Sequence, residues 1–412
     1  MRSTKIDTEN NIEVAEEMTN TRSCDDLTIF CARSFEQIEA IRPIWEKMQS
    51  QESHPQLDAD INRYLSVVKS LGSDVQPYVI VVYQNDTPKA MLIGRVEKKQ
   101  VPCKIGYYVI FNPWMHCLNI VYGGIIGELT DTFCVALVQK LMEILARREV
   151  DVVYVNRLAM DSPLYRHVMK MPNLLCRTRM PKIEQHWIMD VPGDIDSLYK
   201  SFVPKTRNTL KRKNRKLERE FKDQLEFVTY NDKNELEQAL SAASRISEHT
   251  YQMGLGAGFV NDSKTRKFME VAANQGWFRM TLLCIKGEPC SFQQGFQYGK
   301  TYFLGQLGFD PKWKQWNVGT ILFKRIMEDL CSDSSIERLD FGFGDAQYKR
   351  SFGTRYWDEA ILYIFAPRIY PVFVNMLLSL TRSISLLLEL IFNKFGLVRT
   401  IKRKWRNLLA KN

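Results

Sequence analysis

Between Gly276 and Arg355 the chain runs strand, tight turn, strand, turn, strand, glycine-opened helix and strand, an order that leaves few folds open to it. Phe278 to Ile285 is apolar enough for a buried strand, and Lys286-Gly287-Glu288-Pro289 reads as a turn. Cys290 to Gln297 is a second strand, Tyr298-Gly299-Lys300 turns again, and Thr301 to Phe309 is a third. After Asp310-Pro311, the run Trp316-Asn317-Val318-Gly319-Thr320 leads into an amphipathic helix, Ile321 to Leu330. Ile336 to Phe343 is then a strand, followed by Gly344-Asp345-Ala346-Gln347-Tyr348-Lys349. A loop at a strand end that opens a helix on glycine leaves backbone N–H groups free to hold a phosphate.

The 412 residues suggest two or three domains, with enough apolar side chains for sizeable cores. Nine scattered cysteines, an odd number without Cys-x-x-Cys pairs, argue for a reducing compartment and against a zinc site or disulfide framework. The five histidines, at 54, 116, 167, 186 and 249, show no ligand spacing, so no metal is expected. Residues 1–26 are polar, acidic-rich and without an apolar core, which reads as a disordered lead-in and not a signal peptide. A cytoplasmic protein is expected, possible residence at the inner face of a membrane included. No Walker loop, dinucleotide fingerprint or Gly-x-Ser-x-Gly elbow stands in a supporting context. Cys284, Cys290 and Cys331 sit in apolar settings and read as small core residues.

The first half repeats the second faintly. Pro77 to Tyr83 and Ala90 to Glu97 flank a turn ending in Pro88, and the helix Asp131 to Arg147 feeds a strand, Val150 to Asn156. Pro88 and Asn112-Pro113 precede Pro289 and Asp310-Pro311 by about 200 positions, and Asp161 and Tyr165-Arg166 precede Asp345 and Tyr348-Lys349 by about 184, which suggests two copies of one module. Tyr122-Gly123-Gly124-Ile125-Ile126-Gly127 lies several residues before the first copy's helix, where Thr130 or Asp131 is the better N-cap. The second copy alone is therefore expected to hold a phosphate-bearing donor, the first to shape an acceptor groove.

Residues Phe202 to Pro367 resemble the acetyltransferase domain of CelD-like or BcsL-like bacterial proteins, a branch of the GNAT superfamily related to the Fem transferases. The pieces that carry the resemblance are the basic helix Lys205 to Phe221, His249 with Gly254 to Phe259, the Lys286 to Pro289 turn, Gly308-Phe309-Asp310, Val318-Gly319, and Asp340 to Lys349. The resemblance implies an α/β (α+β) fold of two tandem GNAT-like domains, each a mixed sheet flanked by helices. The expected division is a lead-in at 1–26, a degenerate domain at 27–195, the acyltransferase domain at 196–367, and an apolar helix with a basic tail at 368–412. It also implies acyl transfer from acetyl-CoA or another acyl-CoA, or from an acyl-carrier protein, to an amine, most naturally an amino sugar of envelope or exopolysaccharide assembly.

Such chemistry needs a held pantetheine-phosphate arm, a polarised carbonyl and a route for protons. Backbone N–H groups of Val318, Gly319 and Thr320 would hold the arm's phosphates with the helix dipole. Gly305 and Gly308 suit a splayed strand end that polarises the carbonyl. Tyr348 would protonate the leaving thiolate, and Lys349 would neutralise phosphate or developing charge. Asp345 and Asp340 are candidate acids, although Asp340, between Leu339 and Phe341, also fits the outward face of a strand. His249, beside Glu248 on a helix Glu235 to Tyr251, is another candidate base. Gln293 and Gln294 are placed to orient an acceptor, one of the two pointing away because strand side chains alternate.

The formal charge of +10 is uneven. Ser201 to Phe221 sets Leu210, Leu217 and Phe221 on one side and basic residues around the rest, an anion-facing wall in which Arg207 and Arg212 grip the phosphate of an anionic acceptor. Nothing indicates sequence-specific nucleic-acid binding. Tyr370 to Phe392 is long enough to cross a bilayer, yet Arg382 interrupts it and basic residues follow, which favours peripheral membrane contact. Two other readings stay open: a Fem-like transferase drawing on aminoacyl-tRNA, and a non-catalytic scaffold binding a glycan or synthase partner.

Overall fold

The computed structural model describes residues 27–106, 108–248, 250 and 258–394. Two compact units interleave along the chain. One runs to Ile183 and takes up Glu359–Leu388; the other is built on Glu184–Asp358. The sequence reading had drawn contiguous segments at 27–195 and 196–367.

The first unit contains β1 (Leu27–Ala32), α1 (Phe35–Ala40), α2 (Arg42–Gln51), α3 (Ile61–Leu71), β2 (Gln76–Gln84), β3 (Thr87–Gln100), a small hairpin of β4 (Cys103–Ile105) and β5 (Tyr108–Phe111), β6 (Trp114–Gly127), α4 (Asp131–Ala146), β7 (Val152–Ala159) and α5 (Pro163–Val168). Its sheet runs β1-β2-β3-β6-β7, antiparallel except for the parallel β6–β7 pair. An antiparallel strand from far along the chain, β14 (Arg355–Phe365), closes the edge through Glu359–Phe365. Apolar cores lie on both faces, one around α4 and one under Trp45, Tyr64 and Ile61 of α2 and α3.

The second unit contains β8 (Lys182–Asp190), α6 (Ile195–Ser201), α7 (Pro204–Phe221), β9 (Leu225–Tyr230), α8 (Leu236–Glu248), α9 (Ser263–Asn274), β10 (Phe278–Ile285), β11 (Glu288–Tyr298), β12 (Thr301–Phe309), α10 (Val318–Ser332), β13 (Arg338–Phe343) and α11 (Gln347–Phe352). Its sheet runs β9-β10-β11-β12-β13-β8, again antiparallel except for one parallel pair, β12–β13. The two sheets share one plan. In both, the strand beyond the parallel pair comes from elsewhere in the chain, β14 in one and β8 in the other. That exchange explains why contiguous sequence segments and compact units differ.

Helix α7 is held as its pattern dictates. Leu210 and Leu217 are buried with Val318, Ile321 and Leu322 of α10, and the ring of Phe221 lies edge-on to Trp313 and Trp316. The basic residues are left outward. The last described helix, α12 (Ile369–Lys394), begins in the first unit, with Val374 and Asn375 fully buried.

Candidate active site

The site is built where β12 and β13 part. They pair in parallel only from Thr301–Arg338 to Phe303–Asp340. Beyond that point β12 has a bulge against β11 between Leu304 and Leu307, and Gly305, Gln306 and Leu307 are exposed although the strand lies inside the sheet. Past Phe303 this stretch is no longer paired with β13, and the Gln306 N–H is taken by the Gln294 Oε1 at 3.4 Å. Glycine at 305 is required by crowding: a Cβ would stand 2.4 Å from the Gln294 Oε1 and 2.6 Å from the Gln294 carbonyl oxygen.

A brace holds β13 away. Asp340 is buried, where the sequence allowed an outward position. Its carboxylate oxygens each lie 2.9 Å from Nε2 of His186, and one accepts the Gly342 backbone N–H at 2.6 Å. The His186 ring is sandwiched by the indole of Trp357, stacked at 4.5 Å, and the edge-on ring of Phe343 at 4.8 Å. Gly342 takes a positive φ of 66° at the register shift between β13 and β8, so the carboxylate fixes the kink that turns β13 from β12. His186 is the residue that sequence reasoning missed. Its partner lies 154 positions away, so only a tertiary contact reveals it.

Helix α10 starts beside the open end of β12. Asn317 precedes it in the left-handed region, with φ 56° and ψ 35°, and provides no side-chain cap. Thr320 N–H and Ile321 N–H bond back to the Asn317 carbonyl, at 2.9 and 3.1 Å. The first-turn N–H groups of Val318 and Gly319 therefore stand at an uncapped, partly positive helix end. Gly319 has room for a small side chain only, since a Cβ would meet the Phe309 ring at 3.3 Å. The equivalent start in the first unit is closed: Thr130 caps α4 by accepting the Phe133 N–H, and Asp131 follows with His167 at 2.8 Å. There the bulged strand is also covered, Gln56 lying where a Gly123 Cβ would be and Glu52 accepting the Gly127 N–H at 2.7 Å.

The basic helix α7 passes the same end of α10. The Lys213 ammonium donates to the Thr320 hydroxyl at 3.4 Å, and burial lowers its pKa. Lys216 donates to the Gln315 carbonyl at 3.2 Å and stands 4.7 Å over the Trp316 ring. A groove of about 770 Å³ is lined by Lys211, Arg212, Arg215, Lys216, Arg219 and Trp316, among others. Arg212 is on its wall; Arg207, half-buried a turn and a half earlier, is not.

The remaining sequence candidates separate. Tyr348 packs its ring on Phe323 of α10 and Phe341 of β13, at 6.2 and 6.1 Å, on the face of the sheet that α10 covers. Burial raises its pKa above the ordinary tyrosine value, so the phenol keeps its proton. Lys349 does not stand at a site mouth. It is buried, donates to the Phe343 carbonyl at 2.5 Å, and has its pKa lowered by desolvation against the pull of Asp340 and Glu184. Asp345 is exposed and ion-paired with Arg350, which holds its carboxyl below the usual carboxylate range. Both Gln293 and Gln294 are buried: Tyr302 donates to Gln293 Oε1 at 2.6 Å, and Gln294 fills the bulge. Gly308 is a packing glycine, a Cβ there meeting the Phe292 ring at 2.5 Å. His249 lies outside the described residues. The buried thiols at 284, 290 and 331 are pushed above the ordinary cysteine pKa, Cys331 to about 11, so none is a ready thiolate.

Residues 204–350 match the family model of the acetyltransferase (GNAT) domain. The GNAT domain so defined begins with α7 and ends in α11, and it contains the parted strands, the uncapped helix start and Tyr348. It is the domain of a transferase. Among solved structures, FemX superposes with a TM-score of 0.53 at 10% identity, over 77% of this chain and 95% of that one, a likeness of fold. A tandem GNAT protein from the clavulanic acid biosynthesis pathway aligns at 10% identity over 82% and 99%, with a TM-score of 0.46. No curated protein matches the sequence.

Proposed function

We propose that the GNAT domain transfers an acyl group from an acyl-CoA thioester to an amine. The observation that carries this is the junction of three features: the exposed Gly305–Leu307 backbone, the uncapped start of α10, and the cations of α7 beside it. The thioester carbonyl would accept from the β12 backbone where it parts from β13, and the pyrophosphate would sit on the N–H groups of Val318 and Gly319. The amine nitrogen bonds to the carbonyl carbon and the C–S bond breaks. The thiolate takes the Tyr348 proton, and the amine loses its own to solvent. Asp345, already paired with Arg350, is not assigned the base.

This reading gives the cations of α7 to the donor in place of the acceptor. Arg212, Arg215 and Lys216 flank the helix start and face the phosphates of the CoA nucleotide. Replacing Arg212 and Arg215 by glutamate is expected to raise KM for acyl-CoA about tenfold or more at low salt, with the difference shrinking as salt screens the charges. An unchanged thioester KM with a raised acceptor KM would return α7 to the acceptor. The acceptor itself is proposed, on the resemblance alone, to be an amino sugar in envelope or exopolysaccharide assembly.

The deciding experiment is thermal unfolding with acetyl-CoA and longer acyl-CoAs. A ligand at 100 times its dissociation constant adds about 2.7 kcal/mol to the folded state. Gly319→Trp places an indole against Phe309 over the helix start and is expected to abolish that gain while keeping its own unfolding cooperative. Stabilisation that survives the substitution, or none by any thioester in the natural protein, refutes the assignment.

A further inference from the structure

We infer that the first unit carries a built membrane-docking face, made from three separate segments, that seats the protein on an anionic bilayer surface. The centre is α12. Its exposed side chains Phe373, Met376, Leu380 and Leu387 recur at steps of three, four and seven residues and form one stripe, which Ile369, 92% exposed, begins. The opposite side of the helix is bound to protein. Val374 and Asn375 are fully buried, and the Asn375 amide donates to the carbonyls of Leu175 and Arg177 at 2.8 and 2.9 Å.

Two flanks extend the stripe. On one, the β4–β5 hairpin runs along the helix: Phe111 meets Phe373 at 6.5 Å, Gly106 N–H donates to the Ser385 hydroxyl at 3.0 Å, and that hydroxyl donates to the Lys104 carbonyl at 3.1 Å. The hairpin exposes Tyr108, Val109 and Ile110, and Trp114 just after it is 64% exposed. On the other flank, Ser383 reaches the Met180 sulfur at 3.2 Å, and Leu174, Leu175, Met180 and Ile183 are exposed. So many large apolar groups gathered from three segments far exceed the scattered exposure ordinary for a soluble surface.

Charge selects the occupant. Lys104, Arg179 and Lys182 stand exposed among the apolar groups, and Lys394 ends the helix before a sequence that continues with Arg399, Lys402, Arg403, Lys404 and Arg406. The sole acid within α12 is Glu389, near that end. Aromatic and apolar side chains edged by lysine and arginine match a lipid interface with anionic headgroups. A crossing of the bilayer would put the two-stranded hairpin and the non-helical 174–183 segment into hydrocarbon. Lying along the surface leaves both at headgroup depth.

The test is co-sedimentation of the full chain with vesicles of phosphatidylcholine alone and of phosphatidylcholine mixed with phosphatidylglycerol. The natural protein is expected to bind the mixed vesicles, weakening but not detaching as salt rises. The hairpin variant Val109→Glu/Ile110→Glu and the helix variant Met376→Glu/Leu380→Glu should each reduce binding about tenfold or more with unchanged melting temperature, since both place charge where apolar area is buried. Hairpin-variant binding equal to the natural protein's overturns the composite face, leaving the helix and tail alone. Absence of binding to either vesicle overturns the proposal outright. So does a stable dimer in solution that both variants break, because the face would then seat a second copy.

Discussion

Tyr348→Phe is expected to lower kcat for acyl transfer by about 10²–10⁴-fold while leaving KM for the thioester within about twofold. The reasoning is local. Removing the hydroxyl leaves the ring where it is, packed between Phe323 and Phe341, so folding and the phosphate cradle persist. What is lost is the proton for the departing thiolate. The pH profile separates this from a packing effect. Because burial raises the Tyr348 pKa, the group is protonated and competent below its raised value and loses its proton as pH climbs through it. The natural enzyme should therefore hold its rate well into alkaline solution and then decline, and the phenylalanine variant should lack that decline. A variant with full kcat would remove Tyr348 from the mechanism and leave solvent as the proton source.

The second large effect concerns the brace. Asp340→Ala is expected to destabilise the GNAT domain by about 3 kcal/mol, read as a shift in urea or thermal unfolding, because it strips a buried imidazole of its carboxylate and leaves the Gly342 N–H without its acceptor. Asp340→Asn keeps an acceptor in place and should cost markedly less. The alanine variant should also bind acyl-CoA more weakly, since the kink at Gly342 that parts β13 from β12 is no longer fixed. Loss of stability with unchanged thioester affinity would show that Asp340 and His186 serve the core alone, with the splay set by the backbone.

Much of this was legible in the sequence because the signals are local. Phe278–Ile285 and Thr301–Phe309 emerged with the expected bounds, since an apolar run between a helix end and Gly-containing turns specifies a strand without reference to the rest of the chain. The amphipathic α7 and the Thr130 cap followed from side-chain periodicity and N-cap chemistry, equally local. The faint repeat was legible for the same reason: two modules with one order of turns leave matching prolines.

Other features escaped a local reading. Alternation around Asp340 said which face of β13 it occupies but not whether that face is covered, and His186, Trp357 and Phe343 cover it from distant parts of the sequence. Lys349 looked like a free cation beside a tyrosine, yet the turn of α11 carries its ammonium inward to the Phe343 carbonyl. Gln293 and Gln294 are both buried because helices cover β11 on both faces, which strand alternation by itself does not tell.

By itself, then, the sequence determined the elements, their order, the glycine-opened helix and the basic and apolar faces of single helices, because hydrophobic period, capping and turn chemistry act over a few residues. Tertiary structure alone decided which strand closes each sheet, that Asp340 is buried against His186, and that α7 lies beside the start of α10. Those outcomes depend on contacts between residues more than a hundred positions apart, whose geometry is set by packing of whole faces and leaves no trace in local pattern.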